Sequence, residues 1–380
     1  MTALHAAASS VFLDTPEARE LATVGLDHLL AGDKPRLLDE WQVIPDIWNA
    51  VRRDVDRNAT DGRFILTGSS KPADDSTRHT GAGRFLRLQQ RTMTWSERGI
   101  STGTVSLTDL FAGHSVETDT HKPDFDEVLN NLCVSGFPRH IRRDATATAD
   151  IMRAYATEIS HTDVYELERL RHDPEVIHRL LAAMSRAVAS KTTLRTLTSD
   201  VRTIAPAIQP ETIAQYLHIL QRLFVVESIP AWTGQLRSRA TLRRSPKYNV
   251  ADPALAAAIL EATPTSLRDD IATAGVLFES AVLHDLVAYA EALGGSLHHF
   301  RDSVGHEIDA IITLPDGRWA GIEIKLGGGA AAQAAEKLSS LITLIDAPHP
   351  AAFAAVITGT GFHATYPNGV HTFPLSALAL

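Results

Sequence analysis

Short apolar runs alternate with helix-spaced apolar positions through the N-terminal quarter of the chain. Val11, Phe12 and Leu13 form one run, ending at Asp14. Thr15 then caps a helix with Pro16 at its first position and Glu17 in its first turn, running to Leu30 before Gly32. Leu37 and Leu38 predict a short buried strand ending in Asp39-Glu40, and Ile47, Val51 and Val55 repeat at helical spacing. Phe64, Ile65 and Leu66 predict another strand, which ends in Thr67-Gly68-Ser69-Ser70. Alternating strand and helix imply a parallel sheet whose ligands gather at the carboxyl ends of its strands.

From Asp124 to about Ala189 the pattern is mostly helical, punctuated by Gly136-Phe137-Pro138. Leu194 to Ile229 then gives a helix, a turn from Pro206 to Pro210, a helix carrying Ile213, Tyr216, Leu217 and Leu220, and a strand from Phe224. That is the order of a winged helix. Its second helix offers Gln209, Gln215, His218, Gln221 and Arg222, which is not strongly basic. A packing module is therefore favoured over a DNA-reading one. Gly275 to Leu293 reads as a long helix, followed by strands at Leu297–Arg301, Glu307–Leu314 and Trp319–Lys325. Pro315-Asp316-Gly317 is a turn signal between the last two. A helix at Ala331–Leu344 and a strand at Ala352–Thr358 complete a mixed α/β unit.

At 380 residues the chain exceeds one ordinary core. Its net charge of -9 argues against bulk attraction to nucleic acid but leaves a local basic face open. Arg237, Arg239, Arg243, Arg244 and Lys247 form the one such cluster, readable as phosphate contacts or as a linker pairing with acidic neighbours. Cys133 is the only cysteine, which excludes an internal disulfide and a cysteine-rich zinc site and fits a reducing cytoplasm. The N-terminal residues carry no basic, apolar leader pattern, and no uninterrupted apolar run is long enough to span a bilayer. The expectation is a soluble cytoplasmic protein without a membrane partner.

A carboxylate just past a buried strand can hold Mg²⁺ through water, and a following Glu can polarise the water that attacks a γ-phosphate. Asp39-Glu40 fits that description, and it also fits a solvated loop. Three stretches together carry more. Arg36-Leu-Leu-Asp-Glu-Trp-Gln-Val-Ile-Pro-Asp-Ile-Trp-Asn-Ala, Arg63-Phe-Ile-Leu-Thr-Gly-Ser-Ser and Gly81-Ala-Gly-Arg-Phe-Leu-Arg-Leu resemble AAA-type ATPases with a C-terminal domain of unknown function. The resemblance implies a Walker B strand in which Asp39 holds Mg²⁺ and Glu40 polarises water. It also implies a sensor at Ser69 and an arginine finger at Arg84, which otherwise reads as a basic residue on a solvated strand. The chain departs from that family in one respect: it contains no Gly-x-x-x-x-Gly-Lys-Ser/Thr to cradle the β- and γ-phosphates. Thr2 to Ala8 and Val11 to Asp14 resemble the helix and strand that follow this loop. A misassigned start codon is the favoured expectation, with gene truncation and a degenerate ATPase as the alternatives. ATP is then a cofactor only where the missing loop is supplied.

In the C-terminal hairpin, alternation puts Glu307 and Asp309 on one face and Ile308, Ala310 and Ile312 on the other. Glu323 and Lys325 share a face of the returning strand. If Leu314 pairs with Arg318, Asp309 lies opposite Glu323, and a slip of one residue would separate them. Two carboxylates facing one point suit Mg²⁺ or Mn²⁺, and a lysine beside them can orient water or stabilise charge on a phosphate. Glu279, Glu307-Ile-Asp309 and Ile322-Glu323-Ile-Lys325 resemble the PD-(D/E)XK nuclease superfamily. The resemblance implies Asp309 and Glu323 as metal ligands, Lys325 as catalytic lysine, Glu279 as accessory acid, and phosphodiester hydrolysis by metal-activated water.

The expected architecture is α/β and multidomain. An incomplete P-loop parallel-sheet domain spans 1–115, a helical segment 116–240 with its winged-helix candidate at 194–230, and a restriction-endonuclease-like α/β domain 241–380. The expected function is an AAA-family ATP-binding protein with a nuclease-like C-terminal domain and DNA as candidate partner. The alternative is a non-enzymatic nucleic-acid-binding or scaffold protein with vestigial sites. The pattern leaves the oligomeric state open.

Overall fold

Strands too short to bury much alone gain cover by lying side by side under amphipathic helices. In the computed structural model, which describes residues 2–58, 60–70, 83–165, 173–190, 192–234, 245–302 and 304–380, this happens twice. The chain divides into two compact units, one drawn mainly from the segment through Gln90 and the other mainly from Arg91 onward. The whole is a mixed α/β protein.

In the first unit, β1 (Ser9–Phe12), β2 (Arg36–Asp39) and β3 (Phe64–Leu66) form a parallel three-stranded sheet in that order. Thr15 caps α1 (Pro16–Val24) by accepting from the Ala18 N–H at 3.3 Å. The helix expected to reach Leu30 instead breaks at Gly25 and resumes as α2 (Leu26–Leu30), at the residue that least favours helix propagation after proline. With α3 (Ile47–Arg57), these elements bury Leu13, Leu29, Leu38, Ile47 and Val51.

After a two-residue strand at Val105–Ser106 and a short helix at Leu107–Phe111, the second unit continues with α4 (Phe125–Leu132), α5 (Ala145–Glu158), which runs into a π-helical turn at Ile159–Asp163, and α6 (Pro174–Arg186). Next come α7 (Leu194–Val201), α8 (Pro210–Arg222) and β4 (Val226–Ile229), the helix–turn–helix–strand order expected. Two strands follow that the sequence pattern did not reveal, β5 (Ala231–Trp232) and β6 (Lys247–Val250). β6 pairs antiparallel with β4, Lys247 opposite Ile229. Arg237, Arg239, Arg243 and Arg244 lie outside the described residues, so only Lys247 of the basic cluster can be followed.

The long helix α9 (Ile271–Ala292) is apolar on nearly every side, as a helix enclosed by its own protein must be. By length and composition alone it could cross a membrane, a test that buried core helices also pass, and just over half of its most apolar stretch is buried inside the protein. It precedes β7 (Ser296–Arg301), β8 (Glu307–Thr313), β9 (Trp319–Lys325), α10 (Ala331–Leu344), β10 (Phe353–Thr358), β11 (Ala364–Thr365) and β12 (His371–Pro374), and a last short strand at Leu378–Ala379 pairs with Val105–Ser106. The resulting mixed sheet has seven strands in the order β11-β12-β10-β9-β8-β7-β5. β9 and β10 are parallel, joined by α10 as a crossover, while β7, β8 and β9 run antiparallel. Ala310, Ile312, Ile322 and Ile324 pack with α9 on one face. Ile308, Ile311, Trp319 and Val356 pack with α10 on the other.

Candidate active site

The β8–β9 hairpin is set by its turn. The Leu314 N–H donates to the Arg318 carbonyl at 2.8 Å, Gly317 adopts φ +88°, and the Asp316 carboxylate accepts from the Arg318 N–H at 3.0 Å. From there the register runs Thr313–Trp319, Ile312–Ala320, Ile311–Gly321 and Ala310–Ile322. One further step brings Asp309 alongside Glu323, the register on which the sequence argument depended.

Strict alternation fails at this point, however. Across from β7, His298 faces Ile311 but Phe300 faces Ile308, so Asp309 and Ala310 together oppose His299. This two-against-one arrangement is a β-bulge, a device that re-aims side chains. It corrects the expected facing of Ile308, which packs with Ile311 rather than with Ala310 and Ile312. The freed Asp309 side chain turns along the sheet, and its Oδ2 accepts from the Ile324 N–H at 2.9 Å. Asp309 thereby satisfies a backbone donor of β9 and is held by it.

Lys325 sits between the two acids. Its Nζ lies 2.9 Å from Glu323 Oε2, 3.5 Å from Asp309 Oδ2, and donates to the Ile324 carbonyl at 2.9 Å. Burial alone would lower the Lys325 ammonium, but Asp309 and Glu323 outweigh it and hold it above the ordinary lysine range. Glu323 is almost fully enclosed, at 1% exposure. Burial raises its carboxyl above the usual range, Asp309 adds to the rise, and Lys325 opposes it.

Glu279 reaches the same cluster through a residue the motif did not include. Lys247, 5% exposed, places its Nζ 2.8 Å from Glu279 Oε1, 3.4 Å from the Asp309 carbonyl and 3.9 Å from Asp309 Oδ1. Two residues along β6, Asn249 donates to the Ser280 carbonyl at 3.1 Å and accepts from the Ser280 hydroxyl at 2.6 Å. Alternation on β6 thus fastens two neighbouring positions of α9 to the strand. Burial raises the Glu279 carboxyl, Lys247 counteracts this and Asp309 reinforces it.

These placements decide which residues could hold a metal. Among the described residues no group of three or more His, Cys, Asp or Glu side chains is arranged around a common ion position. The expected trio of Glu279, Asp309 and Glu323 is interrupted by Lys247. What remains is the pair Asp309 and Glu323. Glu323 Oε1 is a buried carboxylate oxygen with no hydrogen-bond donor, and Lys337 Nζ lies 3.7 Å from it. A buried oxygen left in that state is costly unless something positive meets it. Mg²⁺ commonly uses only one or two carboxylates and completes its shell with water and phosphate oxygens. The donor set therefore fits such an ion.

In the first unit the carboxyl ends of β2 and β3 bring Asp39, Glu40 and Ser69 together. The Thr67 hydroxyl donates to Asp39 Oδ1. Gln42 Nε2 donates to Glu40 Oε2 and, at 3.4 Å, to Ser69 Oγ. Glu40 adopts φ 55°, a left-handed conformation that non-glycine residues hold under strain. Arg84 forms an ion pair with Asp56 of α3 at 2.5 Å. Gln42, absent from the sequence argument, is the residue linking Glu40 with Ser69.

A second buried polar group in the larger unit joins His284 to Thr92 Oγ1 and Asp285 Oδ1, each at 2.9 Å. The adjoining cavity, lined by Arg98, Asn131 and Pro253 among others, is about 10 Å³. That is barely room for one water, so this group is a core network.

Residues 126–266 match a domain of unknown function (DUF8612), and residues 274–378 match a second domain of unknown function (DUF4143). The latter agrees with the expectation of a C-terminal domain of unknown function, and neither description names an ATPase or a nuclease. Lys247 falls in the first matched segment, whereas Glu279, Asp309, Glu323 and Lys325 fall in the second. No curated protein and no solved structure matches the chain.

Proposed function

We propose that this protein is a DNA-associated member of the AAA-type ATPase group whose C-terminal domain carries a PD-(D/E)XK-like site for phosphodiester hydrolysis. The observation that supports it best is the single lysine ammonium shared by Asp309 and Glu323, beside a buried Glu323 oxygen that has no donor. Asp309 and Glu323 would hold Mg²⁺ or Mn²⁺. When bound, the ion supplies Lewis-acid polarisation of a phosphate and acidifies water. Asp309 is kept in place by the Ile324 N–H. Lys325, charged across the neutral range, offers its ammonium to a phosphate oxygen or to the attacking water. The three-stranded parallel sheet, with Asp39 and Glu40 ending its middle strand, supports a nucleotide module that in this chain lacks its phosphate loop.

The test is cleavage of linear and circular DNA with Mn²⁺ by the wild type, Lys325→Ala and Asp309→Asn. Metal-dependent cleavage lost in both variants supports the proposal. Cleavage that persists in both removes these residues from the chemistry.

A second reading, a scaffold protein with vestigial sites, is favoured by the lysines that already neutralise the acids. It predicts no cleavage by any variant. On either reading this chain binds ATP weakly, so millimolar Mg-ATP should leave its thermal unfolding unchanged.

A further inference from the structure

We infer, resting on the metal-site reading above, that this site takes one divalent cation and no more, because Lys247 holds the position a second would occupy between Glu279 and Asp309. Three acids reach the cluster, enough in number for two ions. Their oxygens are not equally free. Glu279 Oε1 is taken at 2.8 Å by Lys247, whose ammonium also meets the Asp309 carbonyl at 3.4 Å and lies 3.9 Å from Asp309 Oδ1. On the other flank of Asp309, Lys325 has a different situation. It is itself a third exposed, and it leaves Glu323 Oε1 buried without a donor.

An entering cation can displace Lys325 outward and gain the Asp309 and Glu323 oxygens. Lys247 has no comparable exit. Its side chain is 6% exposed, and it starts a strand that is stitched to α9 through Asn249 and Ser280. Moving it would strand a buried ammonium without a partner, which is strongly unfavourable. Lys247 is therefore a built-in monovalent substitute for a second ion and a positioning residue for Asp309. It comes from the neighbouring matched segment, so the site is complete only when both segments are present in one chain.

Mn²⁺ stoichiometry on the full chain, counted by electron paramagnetic resonance of free ion and checked by calorimetry, tests this. The wild type should bind one Mn²⁺ per chain, lost in Asp309→Asn. Lys247→Met should bind two, and the double variant Lys247→Met/Glu279→Gln should return to one. Circular dichroism verifies folding, and Lys247→Gln is read in the same way if the methionine variant does not fold. Two ions in the wild type, or one in a folded Lys247 variant, overturns the inference while leaving the metal site standing. Failure of the wild type to bind Mn²⁺, or binding unaffected by Asp309→Asn, overturns the metal-site reading and this inference with it.

Discussion

The two units hold their clusters of acidic residues in different ways. At Asp39, Glu40 and Ser69 the partners are neutral hydroxyls and an amide, supplied by Thr67 and Gln42 from the same or the adjacent strand end. At Asp309, Glu323 and Glu279 the partners are ammonium groups, two of the three acids have raised carboxyl values, and one lysine is nearly sealed from solvent. Polar residues in partial contact with water can settle for hydrogen bonds. Enclosed carboxylates need counter-charge, since desolvation costs exceed what a neutral donor returns. The C-terminal cluster is thus held together by charge pairing, whereas the N-terminal group is held by neutral hydrogen bonds.

The largest effect that would sharpen this contrast is catalytic. Lys325→Ala should reduce Mn²⁺-dependent DNA cleavage by about 10²-fold or more, the scale of losing one oriented charge donor. Glu40→Gln should leave that cleavage unchanged, as measured by gel assay. Next in size is stability. Lys247→Met removes the counter-charge of Glu279 and should destabilise the larger unit by about 2–3 kcal/mol in urea unfolding. The figure is below that for a fully sealed pair because the Glu279 side chain keeps 25% exposure. Saturating Mn²⁺ should restore much of the loss, since a ligand at a hundred times its Kd adds about 2.7 kcal/mol.

A smaller effect concerns pH. Burial, with Asp309 reinforcing it and Lys325 opposing it, raises Glu323. A carboxyl raised in the folded state contributes stability that is present below its unfolded value and lost as pH climbs through the folded one. Unfolding measured from acid to neutral pH should show that decline in the wild type and a shallower one in Glu323→Gln. The smallest effect lies in the other unit. Glu40→Gly should relieve the left-handed backbone and stabilise by about 0.5–1 kcal/mol in thermal melts. A loss of stability instead would mean that the Gln42 contact outweighs the strain.

How much was legible follows from how local each determinant is. The hairpin register was readable because Pro315, Asp316 and Gly317 admit few turns, and a turn of that length fixes the pairing for several residues. Asp309, Glu323 and Lys325 were therefore brought together as the pattern expected. The bulge was not readable, because Glu307-Ile-Asp309-Ala-Ile alternates acceptably in either phase, and only pairing with β7 selects the irregular one. Lys247 was hidden for a similar reason. In sequence it closes a run of arginines that ends at Arg244, while its partners come from α9 and β8 and are known only once β6 is docked. Gln42 escaped notice because a lone glutamine near an Asp-Glu pair carries no pattern of its own. The break at Gly25 carried a signal, the glycine itself, but the apolar spacing continues across it.

Anomalous diffraction from a crystal of the full chain grown with Mn²⁺ tests the central claim most directly. The account predicts one peak bound by Asp309 and Glu323, with Lys325 displaced from Glu323 Oε2 and Lys247 still on Glu279. A map with no peak there, and Lys325 still seated on both carboxylates, would contradict it.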